Sequence, residues 1–284
     1  MLNKDGIFKF FTIGSVYFWL VCFGIVPISL VVMCSFLTST PLQLYTWHFT
    51  FLNYQTLFSL VYLEVFLRSV KLAIIVTSLT LLIGYPFAYF LTRLPERIKR
   101  LMALFVIIPF WTSSLLRCYA IITIIHAHGL LNNLLLSLGI IHAPLEMLYT
   151  NFAVILGLVY NLLPFVVLPL FANMEKLDRD LIEAARDLGA NGVTTFVRVI
   201  LPLTRSGIYS AVLLSFLPAM TLFYIPDLLG GAKSLLLGNL IQLQFLQARN
   251  WPLGSAVSLA LTVFMGILML FYFRTIPKKE RESL

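Results

Sequence analysis

The chain has 284 residues, 60% of them hydrophobic and 11% charged, with a mean hydropathy of +0.94. That balance excludes an ordinary soluble domain and places the chain in a lipid bilayer. The net charge of +8 lies in short basic clusters between apolar blocks rather than along one face, which excludes a nucleic-acid-binding surface.

Six apolar stretches are long enough to cross the hydrocarbon core. The first, residues 14–36, follows Lys4 and Lys9 and has no small-residue cleavage site behind it, so it reads as an uncleaved span. Residues 38–69, with Trp47, His48, Tyr54, Glu64 and Arg68, read as an interfacial loop containing short helical pieces. Spans follow at 70–92, holding Gly84 and Pro86, and at 101–125, interrupted by Pro109 and carrying Arg117. Between residues 126 and 151, Gly129, Asn132, Asn133, Gly139 and Pro144 are turn and cap signals around one short helix. The last three spans fall at 152–174, 207–228 and 254–273. Pro164 and Pro169 in the fourth are tolerated where neighbours satisfy the freed carbonyls. Cys22, Cys34 and Cys118 all lie in apolar stretches without disulfide or metal-ligand spacing, and read as packing residues.

Lys and Arg set the orientation. Fifteen fall on one side of these spans and five on the other. The positive-inside bias therefore predicts that both termini, and the polar stretch 178–202, lie in the cytoplasm.

That stretch, Asp178 to Pro202, is the longest polar interval between two apolar blocks. Asp180 and Glu183 have capping-box spacing. Leu177, Leu181, Ala184, Ala185 and Leu188 recur at one-face helical spacing, and Gly189 falls where a helix takes a left-handed terminator. Asn191 offers a cap for a second short helix, and Pro202 marks the boundary with the next block. A helix, a tight turn and another helix outside the membrane suit docking into a partner's groove.

Catalytic chemistry has no foothold in the sequence. Gly230-Gly231-Ala232-Lys233-Ser234 imitates a phosphate-binding loop, but the motif requires glycine where Ala232 stands. His126 and His128 are two ligands at most, too few for a metal site. Coupling to an ion gradient calls for ionisable residues deep in the bilayer, and the six spans hold no Asp or Glu away from their ends. An ion-coupled secondary transporter of small cations is the rival reading, and this pattern argues against it.

Glu183-Ala184-Ala185, Gly189, and Val199-Ile200-Leu201-Pro202 resemble the loop pattern E-A-A-x3-G-x9-I-x-L-P of ABC-importer permeases. Val199 in the isoleucine position is the one departure. The resemblance implies an all-α membrane protein of six transmembrane helices with type I ABC-importer permease (MetI-like) architecture. Residues 178–202 would carry a cytoplasmic coupling helix, with Asp180, Glu183, Ala184, Ala185, Gly189, Leu201 and Pro202 at the contact with an ATPase. Tyr85–Tyr89, Pro109–Thr112, Leu115–Arg117, Leu158–Phe165 and Phe223–Lys233 are similar to the B-type permeases of spermidine/putrescine importers. A permease for a different small solute is the alternative within the family.

This implies a non-catalytic subunit in a bacterial inner membrane. Its partners would be a sister permease, a pair of ATPase subunits holding ATP and magnesium, and a periplasmic polyamine-binding protein. No cofactor or metal is expected on the chain itself. A polyamine needs carboxylates for its ammonium groups and aromatic faces along its length. Trp111, Tyr119, Tyr160, Asn161, Phe223, Tyr224 and Asp227 offer that chemistry, although Tyr and Trp near span ends also serve as headgroup anchors. Arg117 is expected to be structural, paired with a carboxylate.

Overall fold

The computed structural model describes residues 4–40, 43–231 and 235–275. Ala232, Lys233, Ser234 and the tail residues Lys278, Lys279 and Arg281 lie outside them. The chain divides into two units, Met1–Glu64 with Leu240–Gly266, and Val65–Asn239 with Ile267–Leu284.

The first unit opens with α1 (Lys4–Leu20), which passes through a π-helical turn, Val21–Ile25, into α2 (Val26–Ser35). Pro27 has no N–H for the Phe23 carbonyl, and the ladder widens just ahead of it, with the Val26 N–H donating to the Val21 carbonyl. Tyr17, Phe18, Trp19 and Phe23 on this helix are exposed. Two short strands follow, β1 (Thr38–Thr40) and β2 (Gln43–Thr46), paired antiparallel with Thr38 opposite Thr46. Next, α3 (Leu52–Leu57) closes the end of α2. Asn53 Nδ2 donates to the carbonyls of Ser35 at 2.9 Å and Leu37 at 2.8 Å, satisfying acceptors that a helix end leaves open.

Then comes α4 (Leu60–Arg93), which runs without a break. The interfacial loop expected over 38–69 is therefore a hairpin, a short helix and the start of a long one, with Glu64 and Arg68 on that helix rather than before it.

In the second unit, α5 (Glu96–Trp111) and α6 (Ser114–Ile125) replace the single span expected at 101–125. The chain is extended at Thr112 (φ −91°, ψ 143°), three residues past Pro109, and Ser113 starts the next helix. A short helix, α7 (Leu130–Ser137), lies in the loop that follows. There the buried Asn132 amide holds the loop closed. Its Nδ2 donates to the carbonyls of His126 and Leu145, both at 3.0 Å, and its Oδ1 accepts from the Leu145 N–H.

The core of this unit is built on α8 (Asn151–Glu175), capped by the Thr150 hydroxyl. Val166, Val167, Leu170 and Met174 of α8 pack with Tyr85, Ala88 and Leu91 of α4. After it come α9 (Arg179–Asp187), α10 (Gly192–Thr195), a π-helical turn Phe196–Ile200 and α11 (Leu201–Leu203). The chain then returns alongside α8 as α12 (Arg205–Thr221).

The fifth span, expected to reach residue 228, ends at Thr221, and Asp227 sits on a separate helix, α13 (Tyr224–Gly230). α12 runs on through Pro218, and the backbone turns extended at Leu222 (φ −65°, ψ 111°); Pro226 has no N–H for the Leu222 carbonyl. Pro226 falls in the first turn of α13, where no intrahelical donor is needed. Gly157 lets α13 approach α8: a Cβ there would stand 2.2 Å from Leu229 Cδ1. The last described elements are α14 (Leu237–Gln242), a π-helical turn Leu243–Gln247 and α15 (Trp251–Thr275).

Five segments among the described residues are long and apolar enough to cross a membrane: 12–35, 60–93, 114–137, 151–175 and 251–272. A sixth is reached if Gly192–Leu203 and Arg205–Thr221, bent by 68°, count as one.

Candidate coupling loop and translocation path

Only Lys176 and Leu177 separate α8 from Asp178, so the connection is tight. Asp178 is extended (φ −67°, ψ 122°), and its carboxylate accepts from the Asp180 N–H at 3.1 Å. The expected capping box between Asp180 and Glu183 does not form. The helix begins two residues earlier, and Asp180 lies within its first turn, where its charge favours the helix dipole.

Among the described side chains of α9, Ile182 is the buried one. Of the face expected to be apolar, Leu181 is 48% exposed and Leu188, at the C-cap, 89%. A helical hairpin this short has one inner side, and Ile182 takes it. Leu177 lies off the helix and packs against the core around α8. Glu183 and Ala184 are exposed and Ala185 is half-buried.

The helix ends on Gly189 with φ +82°. The Gly189 N–H donates to the Arg186 carbonyl at 2.8 Å and the Ala190 N–H to the Ala185 carbonyl at 3.0 Å, the paired bonds of a Schellman terminator. Asn191 then caps α10, accepting from the Thr194 N–H at 2.8 Å. Pro202 lacks the donor for the Arg198 carbonyl, and the π-helical turn lies just before it, as at Pro27. Leu201 and Pro202 are exposed. The helix continues through Pro202 and breaks at Thr204 instead.

Two residues that sequence reasoning did not assign to the site tie this loop to the core. Thr204, fully buried at the bend, shares a 2.7 Å hydrogen bond with Tyr85 Oη, and its Oγ1 donates to the Ile200 carbonyl at 2.9 Å. Phe196 packs edge-on against Tyr85, centroids 5.6 Å apart, and against Tyr89 at 6.4 Å. Tyr85 lies in a segment already singled out for resemblance, yet nothing local to it signals a partner 119 residues away.

Beside the loop, the buried Lys99 ammonium ion-pairs with Glu96 and, at 3.0 Å, with Glu175 at the end of α8. Hydrogen bonds to Glu96 and then Glu175 raise the Lys99 pKa against the opposing effect of desolvation. A lysine raised in this way contributes stability that is present below its unfolded value and is lost as pH climbs through the folded value.

Six of the seven candidate path residues lie on four helices, and the seventh, Phe223, just precedes one of them. Trp111, 87% exposed, ends α5; Tyr119 projects from α6 and is exposed; Tyr160 and Asn161 lie on α8. Phe223 precedes α13, which carries Tyr224 and Asp227. α6, α8 and α13 pack on one another, and α5 packs on α8. The Phe223 and Tyr224 rings meet edge-on at 6.0 Å. Asn161 is buried, with Nδ2 donating to the Gly157 carbonyl at 2.9 Å.

Arg117 does not find the expected carboxylate among the described residues. Its guanidinium lies 5.9 Å from the Tyr160 ring centroid, a cation–π contact that holds a charge without a counter-ion.

Residues 80–277 match the family of binding-protein-dependent transport system inner membrane components. The chain belongs to that family. The spermidine/putrescine transport system permease protein PotB of Salmonella typhimurium is 48% identical to this permease over 267 residues, covering 94% of this chain and 93% of its own. PotB of Escherichia coli is 48% identical over 256 residues, 90% and 93% of the two chains. A chain from the crystal structure of a bacterial alginate ABC transporter in complex with an alginate pentasaccharide-bound periplasmic protein superimposes with a TM-score of 0.73. It covers 95% of this permease and 94% of itself at 18% identity, a likeness of fold alone. The importer-permease architecture expected from the sequence is the one found.

Proposed function

We propose that this permease forms half of the translocation path of an ATP-driven importer of polyamines, spermidine and putrescine among them. The observation that carries the coupling role is a pair of exposed leucines on the 178–202 loop, Leu181 on a helix fixed at both ends and Leu188 at its C-cap. Two leucines seven residues apart share one face of a helix and suit a groove on a second protein. The substrate class is supported by the 48% identity to proteins named for spermidine and putrescine transport.

A sister permease completes the path, two ATPase subunits hold ATP and magnesium, and a periplasmic protein delivers the polyamine. Both termini and the loop face the cytoplasm in this reading, which the distribution of Lys and Arg supports. ATP binding draws the two ATPase subunits together. The loop moves with them, and the Tyr85–Thr204 and Phe196 contacts pass that movement to α4 and α12. The helices rock, the path opens outward, the cargo enters, and hydrolysis reverses the motion.

Co-purification of the assembled complex, followed by uptake of labelled amines into proteoliposomes, tests the reading. Uptake that requires both ATP and the binding protein is expected. Uptake by this chain alone under an ion gradient, or of an unrelated solute only, would overturn it.

A further inference from the structure

Where α14 starts, two contacts fix the backbone. The Leu237 N–H donates to Ser69 Oγ on α4 at 2.8 Å. One residue on, Gly238 passes so close to the end of α12 that a Cβ would stand 2.4 Å from the Thr221 carbonyl oxygen. Asn239 is thereby set against the break between α12 and α13, where it is 5% exposed.

Its side chain does two things there. Nδ2 donates to the Phe223 carbonyl at 2.8 Å and to Asp227 Oδ1. Both N–H groups of the amide are then used, and turning it over would set Oδ1 against two acceptors, so these bonds fix the way it faces. Oδ1 is left buried with no hydrogen-bond partner among the described residues. An amide that tolerates an orphaned acceptor to keep both donors in place is holding something.

Asp227 itself is exposed, and its Oδ2 has no partner among the described residues. Tyr224 and Phe223 lie three and four residues earlier, on the same side of the helix. A carboxylate with aromatic rings one turn away matches an ammonium group on a methylene chain. The identity of the clamp matters: an amide steadies a carboxylate without cancelling its charge, whereas Lys or Arg in its place would neutralise the ligand.

We propose that Asn239 is a positioning residue, which clamps Asp227 through Oδ1 so that Oδ2 takes one ammonium group of the polyamine. This rests on the polyamine reading above. The test is saturation kinetics of polyamine uptake by the reconstituted complex, with its ATPase and binding protein, in a double-mutant cycle of Asn239→Ala and Asp227→Asn. Asp227→Asn is expected to raise KM about tenfold or more, the scale of losing one charge-assisted contact. Asn239→Ala should raise KM several-fold with little change in Vmax, and should add almost nothing once Asp227 is already Asn.

A fall in Vmax at constant KM, or an undiminished effect in the Asp227→Asn background, would mark Asn239 as structural only and overturn the proposal. If Asn239→Ala fails to assemble, Asn239→Ser keeps a hydroxyl donor in a smaller side chain and carries the same cycle. Wild-type complex that takes up no polyamine would sink the underlying reading. Normal polyamine uptake by the Asp227→Asn complex would sink this inference alone.

Discussion

Gly189 is held at φ +82° with nothing within 4 Å of where a Cβ would stand. The demand on this position is therefore one of backbone conformation and not of space. Left-handed φ costs an ordinary residue about 1–2 kcal/mol, while Asn tolerates it. Gly189→Asn should keep most polyamine-linked ATPase stimulation in reconstituted membranes, and Gly189→Val should lose most of it with membrane insertion intact. Equal stimulation by the two variants would reject a conformational role. The glycine was legible from its place after a helical run. The cap at the other end was misplaced by two residues, because Asp178 and Asp180 are chemically alike and only the end of α8 at Glu175 decides between them.

Tyr85 on α4 and Thr204 at the bend before α12 are the pins between the loop and the membrane-spanning core. Removing the phenol oxygen leaves Phe196 packed and Thr204 still bonded to Ile200, so Tyr85→Phe isolates one buried hydrogen bond. The expected loss is about 0.5–1.5 kcal/mol, read as a lower thermal midpoint of the purified protein in detergent. No change in midpoint would mean the pin bears no load. The same elements mark the limit of pattern reading. Span boundaries from hydropathy follow the apolar run, whereas the backbone turns extended inside that run at Thr112 and at Leu222. The third span accordingly becomes α5 and α6, and the fifth stops before Asp227.

Within the whole subunit, the exposed face of α9 is the least explained surface unless a partner covers it. Leu188 contributes almost nothing to packing inside this chain, being 89% exposed. Leu188→Asp should shift the stability of the isolated subunit by no more than about 0.5 kcal/mol. A buried leucine at an interface is worth about 1.5–3 kcal/mol, so retention of the ATPase on co-purification should fall roughly ten- to a hundredfold. Undiminished retention would remove this face from the contact.

Composition and spacing alone settled that the chain crosses a membrane several times, and that residues 178–202 form a capped, glycine-ended hairpin matching importer permeases. Those conclusions depend on local quantities: transfer of apolar residues from water, helical period, and the backbone freedom of glycine. The tertiary structure decided what depends on distant neighbours. It turned Ile182 inward and left Leu181 and Leu188 out, set Arg117 over Tyr160 instead of a carboxylate, and brought Asn239 to Asp227. Each is a choice between chemically adequate partners, and packing against another helix, which no local pattern encodes, makes that choice.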